Sequence, residues 1–176
     1  MKTKLAIVLV AAVALLAAGC GGKGGGNTIK IGLLYTMTGA QASLDAPSAN
    51  GAQLAAKELN AAGGVLGKKI ELVAFDGKTD AATIGNSATQ LAQTDKVVAM
   101  FGFSDSDMTM AAAPIAAKAG VVFVTSGATS PKLPDQVPEY LYLACFGDNV
   151  QAAAAAEYSV NALQAKSVYL LIDKGM

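Results

Sequence analysis

A parallel β-sheet covered by helices on both faces, a three-layer α-β-α arrangement of the α/β class, is the fold this sequence predicts. Three observations predict it. From Ile29 onward, short runs rich in Ile, Leu, Val and Phe alternate with longer Ala-rich runs of helical period, the pattern of repeated strand–helix units. The strand-like runs are largely continuous in apolar residues, as strands buried on both faces read. The chain has 176 residues of which 53% are hydrophobic, enough for a domain with a real core.

The elements follow in order. Ile29 to Tyr35 (IKIGLLY) reads as the first strand. Residues 50–62 fit a helix, with Ala52, Ala55, Leu59 and Ala62 on one face and Gly63-Gly64 as its stop. Lys69 to Phe75 is a second strand. Residues 80–93 form a second helix, with Asp80 as N-cap and Ile84, Ala88, Leu91 and Ala92 inward. Val97 to Phe101 is a third strand. Residues 107–119 form a third helix with Met108, Ala111, Ala112 and Ile115 inward and a kink expected at Pro114. Met108 and Met110 read as core filler. Val121 to Thr125 is a fourth strand. Residues 140–144 give a short strand, 148–164 an Ala-rich helix and 167–172 (SVYLLI) a last strand. Ligands of parallel sheets bind outside the carboxyl ends of the strands. The loops to inspect are therefore Thr36–Pro47, Gly102–Asp107 and Ser126–Pro134.

Composition excludes several functions. Basic and acidic residues number 13 each, so the net charge is zero and no basic excess exists to hold nucleic acid. Every basic residue is Lys; there is no Arg, His or Trp. The commonest general base and zinc ligand is thus missing, as is the bidentate carboxylate clamp. Gly102-x-Ser104-x-Ser106 is near a nucleophile elbow, but Ser106 stands where the last Gly belongs and no His is present to activate a serine. The turn after the first strand (TMTGAQ) lacks a dinucleotide fingerprint. The chain reads as a non-enzyme with no cofactor and no metal.

Residues 1–19 have the layout of a secretory signal peptide: Lys2 and Lys4, then an uncharged apolar run from Leu5 to Ala18 that is shorter than the about 20 residues of a spanning helix. The run ends in Leu16-Ala17-Ala18-Gly19-Cys20, which resembles a bacterial lipobox, with Leu one place earlier than usual. It marks Cys20 for lipidation. The Gly-rich stretch to residue 28 reads as a flexible tether, since it precedes a strand rather than following one as a phosphate loop would. The remaining thiol, Cys145, has no partner for an internal disulfide.

The ordered segments IKIGLLYTMTG, NGAQLAAKELNAAGGVLGKKIELV, DGKTD, KVVAMFGFSDSD and SGATSPKL resemble the type I periplasmic-binding fold of the Leu/Ile/Val-binding family. The resemblance runs from Ile29 to the last residue. It implies a two-lobed extracytoplasmic receptor that binds a small polar ligand, usually an amino acid, and hands it to an ABC-transporter permease. It implies an N-terminal lobe over 29–144, then a hinge near Cys145–Asp148 and the start of a second lobe over 145–176, with the fold incomplete in this sequence. Exported, lipid-anchored placement at the cell envelope agrees with the lipobox. A ligand-sensing ectodomain of the same fold, or a non-functional fragment, are the alternative readings.

By the same resemblance, the ligand's α-carboxylate sits after the third strand, where Ser106 supplies a hydroxyl. The physics fits, because free N–H groups at a helix start attract an anion; Ser106 as a simple helix cap fits equally. Gly127 matches a carbonyl that accepts from the ligand ammonium, and Thr129 a second hydroxyl contact. Leu44 stands where some relatives place an aromatic over the ligand. Asp105 beside Ser106 opposes a carboxylate or faces an ammonium. Asp148 marks the hinge and reads as an N-cap for the helix it opens.

Overall fold

The computed structural model describes residues 27–172; the expected signal peptide, Cys20 and most of the expected Gly-rich tether lie outside them. Strands β1 (Thr28–Tyr35), β2 (Lys69–Asp76), β3 (Ala99–Gly102), β4 (Val122–Thr125) and β5 (Leu141–Leu143) form one sheet in the order β2-β1-β3-β4-β5. Every pairing is parallel, with Leu34 opposite Phe75 and Gly102, and Gly102 opposite Thr125. Helices α1 (Ala42–Ala61), α2 (Ala81–Thr89), α3 (Ser106–Lys118), α4 (Leu133–Gln136) and α5 (Asp148–Asn161) connect or follow the strands. The strand order reverses direction between β1 and β3, which makes their carboxyl ends the topological switch point of the sheet.

Alternation along each strand divides the side chains between two faces. Leu34, Met100 and Phe123 pack with Ile84 of α2, Leu91 just beyond its end, and Ala112 and Ala116 of α3 in the main core. Leu33 and Tyr35 turn the other way and meet Ala49 of α1, with Leu72 and Phe101 partly buried beside them. Phe103 stacks on Phe123 with ring centroids 6.3 Å apart. Asp80 caps α2 as expected, accepting from Thr83 N–H at 2.7 Å. Met108 and Met110 pack against the main core, and α3 runs unbroken through the exposed Pro114.

Several expected elements are corrected. The first helix begins at Ala42, not residue 50, so the loop after β1 is short and Leu44 lies in the helix. Pro47 suggested a loop, but it sits near the helix start, where only one intrahelical bond is forfeited. On α1 the buried residues are Asp45, Ala49 and Ala56, while Leu59, expected inward, is 45% exposed. The second helix widens into a π-helical turn, Gln90–Asp95, closed by Lys96 in the left-handed region. On α3, Thr109, Ala112, Ala113 and Ala116 are the buried set, a face rotated from the expected one. Residues 167–172 are not a strand: Val168 to Ile172 are 67–103% exposed and unpaired. A strand exists through its ladder, and no described residue pairs with this segment. Helix α5 likewise has no buried residue.

Candidate functional site

The loops after β1, β3 and β4 converge at the switch point, and the residues that join them are local consequences of the sheet. Gly102 ends β3 where a Cβ would stand 2.2 Å from Leu34 O and 2.9 Å from the Phe123 ring, so only glycine allows this approach. Phe103 follows with φ +42, a left-handed conformation that costs energy for a bulky residue. Its buried ring and its carbonyl offset that cost. The carbonyl accepts from Thr125 Oγ1 at 2.7 Å, Gly127 N at 3.3 Å and Ser126 Oγ at 3.4 Å. One strained residue thus fastens the β4 loop to the β3 loop.

The loop after β1 is fastened by carboxylates. Asp45 accepts from Thr36 N–H and Ser104 N–H, each at 2.7 Å. Asp76, at the end of β2, accepts from the N–H groups of Met37, Thr38 and Lys78 and from Thr38 Oγ1. Burial pushes the Asp76 carboxyl up, but the Thr38 hydroxyl and these N–H groups outweigh burial and hold it below the usual carboxylate value. Tyr35 is pushed up by its burial, opposed by a hydrogen bond with Ser126, and further raised by the nearby Asp45 charge.

The residues singled out from sequence fall along this rim. Asp105, not Ser106, caps α3: its carboxylate accepts from Asp107 N–H at 2.8 Å and Met108 N–H at 3.0 Å. Its other oxygen accepts from Gln41 Nε2 at 3.1 Å. Asp105 thus accepts three hydrogen bonds from the protein's own N–H groups. Ser106 is the first residue of α3, and its hydroxyl accepts only a long bond from Ser130 N–H, 3.4 Å. Gly127 packs on Ser104, where a Cβ would come within 2.9 Å of Ser104 Oγ. Thr129 is half-buried, and its carbonyl accepts from Asp148 N–H at 2.8 Å. Asp148 is not the cap of its helix; Gly147 is, and Asp148 is the first helical residue. Leu44 is 58% exposed, with its carbonyl 3.4 Å from Ser104 Oγ. Cys145 donates to Ala128 O at 3.3 Å; burial and then the Asp148 charge push its thiol up, away from the reactive thiolate.

The structure thus brings Ser106, Gly127, Thr129 and Asp105 to one rim, with Leu44 at one end and Asp148 at the other. Sequence reading missed Asp45, Gln41 and the Phe103 carbonyl. An apolar groove of about 400 Å³ lies away from this rim, between α1 and the sheet, lined by Leu33, Ala55, Leu59, Ile70, Leu72 and Phe101.

A family profile described as periplasmic binding protein matches residues 28–174. The chain belongs to the periplasmic binding protein family. An amino acid binding protein of Pseudomonas aeruginosa is 34% identical over 146 residues, 83% of this chain and 39% of that protein. Among solved structures, the branched-chain amino acid transporter substrate binding protein LivJ of Streptococcus pneumoniae, in complex with isoleucine, is 38% identical with a TM-score of 0.74, covering 79% of this chain and 40% of that one. A solute binding protein of an ABC transporter from Rhodopseudomonas palustris, in complex with 3,4-dihydroxy benzoic acid, is 31% identical with a TM-score of 0.58, covering 69% and 33%. The chain therefore spans about two fifths of the length of the first two. The parallel five-stranded sheet is the partial type I periplasmic-binding fold expected from the sequence.

Proposed function

We propose that this chain supplies the first lobe of the extracytoplasmic substrate-binding component of an ABC importer for branched-chain or other amino acids or small polar solutes. The observation that carries the reading is the convergence of the β3 and β4 loops, which puts Ser106 and Thr129 on one rim with Gly127 between them in sequence. The Ser106 hydroxyl, spared from capping by Asp105, stays available to a ligand carboxylate at the start of α3. Isoleucine and 3,4-dihydroxy benzoic acid, held by two of the similar structures, have a carboxylate in common. That shared group supports a carboxylate at the Ser106 end more than it supports any one side chain. The reading is a binding protein and not an enzyme; no His is available in the sequence as a base.

The same proposal extends to the hinge, the partner and the anchor. Residues 29–144 act as the lobe, Asp148 marks the crossover, a permease receives the ligand, and Cys20 carries lipid that holds the protein at the cell envelope. No helix among the described residues is long and apolar enough to cross a membrane. Amide NMR spectra titrated with L-isoleucine and L-leucine test the site. Saturable shifts are expected at Ser106, Gly127 and Thr129. Shifts absent there, or confined to the groove beside Leu59 and Leu72, would sink the assignment. Cys20→Ser tests the anchor: incorporation of labelled fatty acid and sedimentation with membranes should both be lost, and their persistence rules the anchor out.

A further inference from the structure

We propose that Asp45 is a positioning residue of this pocket, a buried side chain that sets the loop after β1 against the loop after β3. The inference rests on the ligand-binding reading above and adds to it a residue that never touches ligand. Asp45 is 1% exposed. Its two carboxylate oxygens are divided between two loops: Oδ2 accepts from Thr36 N–H and Oδ1 from Ser104 N–H, both at 2.7 Å. These are short, charge-assisted bonds, of the stronger class. Thr36 and Ser104 each stand just past the end of a strand, β1 and β3, which are neighbours across the switch point.

The tie is made by a side chain far away in sequence from Ser104, and it reaches the rim through packed contacts. Ser104 lies against Gly127, whose Cα leaves no room for a Cβ, and its hydroxyl donates to Leu44 O. Asp105 and Ser106 follow Ser104 directly. Moving Ser104 therefore moves the first turn of α3 and the Gly127 backbone together. The backbone of Thr36, not its hydroxyl, makes the contact; that hydroxyl is buried without a partner among the described residues. Asp45 itself sits in the first turn of α1, where the helix start favours a negative charge. The clamp is thus assembled from one carboxylate, two strand ends and one helix start.

Asp45→Asn tests this. It preserves shape, but its amide nitrogen meets a backbone N–H donor, so one of the two loop ties is lost. Ile84→Val, in the opposite core, serves as a control for general loss of stability. Two readouts are taken on the full chain: hydrogen exchange of the Thr36 and Ser104 amides, and L-leucine titration followed at Ser106 and Gly127. Asp45→Asn should speed exchange at one or both tied amides by at least about tenfold while leaving Met100 and Phe123 protected, and should weaken leucine binding by about tenfold. Ile84→Val should change neither selectively. Wild-type exchange and wild-type leucine affinity in Asp45→Asn overturn the proposal, as do equal changes in Ile84→Val. If wild-type protein shows no leucine response at all, the ligand reading fails, and the exchange readout then decides the clamp by itself.

Discussion

The two faces of the sheet are built in different ways. On the α2–α3 face, Leu34, Ile84, Leu91, Met100, Phe103 and Phe123 are fully buried in one continuous core. On the α1 face the buried apolar cluster is small, Leu33, Tyr35 and Ala49, with Ala56 buried outside it, and the groove of about 400 Å³ runs beside them. Polar ties take the place of burial there. Asp45 joins β1 to β3, Asp76 holds the loop after β1, and Asn60 acts as a surrogate strand for the edge of β2. The Asn60 side chain donates to Ile70 O at 2.8 Å and accepts from Ile70 N–H at 2.7 Å, covering an exposed strand edge. The difference teaches that the rim has two supports of unlike physics. Apolar packing fixes the β3 and β4 ends, while carboxylates and an amide fix β1, β2 and α1 to them.

The largest effect expected from this contrast is in side-chain truncation. Phe123→Ala removes a fully buried ring stacked on Phe103 and should cost about 3–5 kcal/mol. Leu72→Ala removes a side chain that lines the groove and is only partly buried, and should cost less, about 1–2 kcal/mol. Urea unfolding of both variants measures the gap. Equal losses would mean that the α1 face is packed as tightly as the other, and the contrast would be broken.

How much of this was legible in the sequence follows the same division. The β1 to β4 strands and α2 were readable because a buried strand or helix carries its own apolar pattern, and the loops worth inspecting followed from the parallel topology. The early start of α1 was not readable. Pro47 and Asp45 look like loop residues until Asp45 is seen to bond Thr36 and Ser104, a tertiary contact that periodicity cannot contain. An acid set between Leu44 and Ala46 was the available signal. Residues 167–172 failed in the opposite direction: their apolar content is strand-like, but pairing depends on a neighbour. At the site, Ser106, Gly127 and Thr129 were named through family resemblance. The assignment of Asp105 as the cap in place of Ser106 had to come from backbone geometry, since either residue type serves as a cap.

Acid should separate the two faces next. Asp76 is held below its ordinary value of 3.8 in the folded protein. A depressed carboxyl contributes stability that is fully present above the unfolded value and is lost as pH falls through the folded one. Apolar packing has no such dependence. Below about pH 3.8, amide protection at Met37 and Thr38 should therefore fall before protection at Met100 and Phe123. In Asp76→Asn, Met37 and Thr38 should be less protected at neutral pH, and this acid-linked step should be flattened. Simultaneous loss of protection on both faces would show that the polar ties and the core melt as one unit.

The smallest effect is the addition of a single methyl, and its sign reports which face has room. Gly51 lies inside α1 and borders the groove, and a Cβ built there meets nothing within 4 Å. Its backbone is helical, so alanine adopts the conformation without strain and narrows the unfolded ensemble. Gly51→Ala should stabilise the chain by about 0.5–1 kcal/mol, seen as a higher urea midpoint with an unchanged slope. The same methyl at Gly102 meets Leu34 O at 2.2 Å and forces strands β1 and β3 apart. A stabilised Gly51→Ala beside a destabilised Gly102→Ala would confirm open space over α1 and close packing at the switch point. A destabilised Gly51→Ala would mean that the groove is filled in solution, and the thin face would have to be regarded as a packed one.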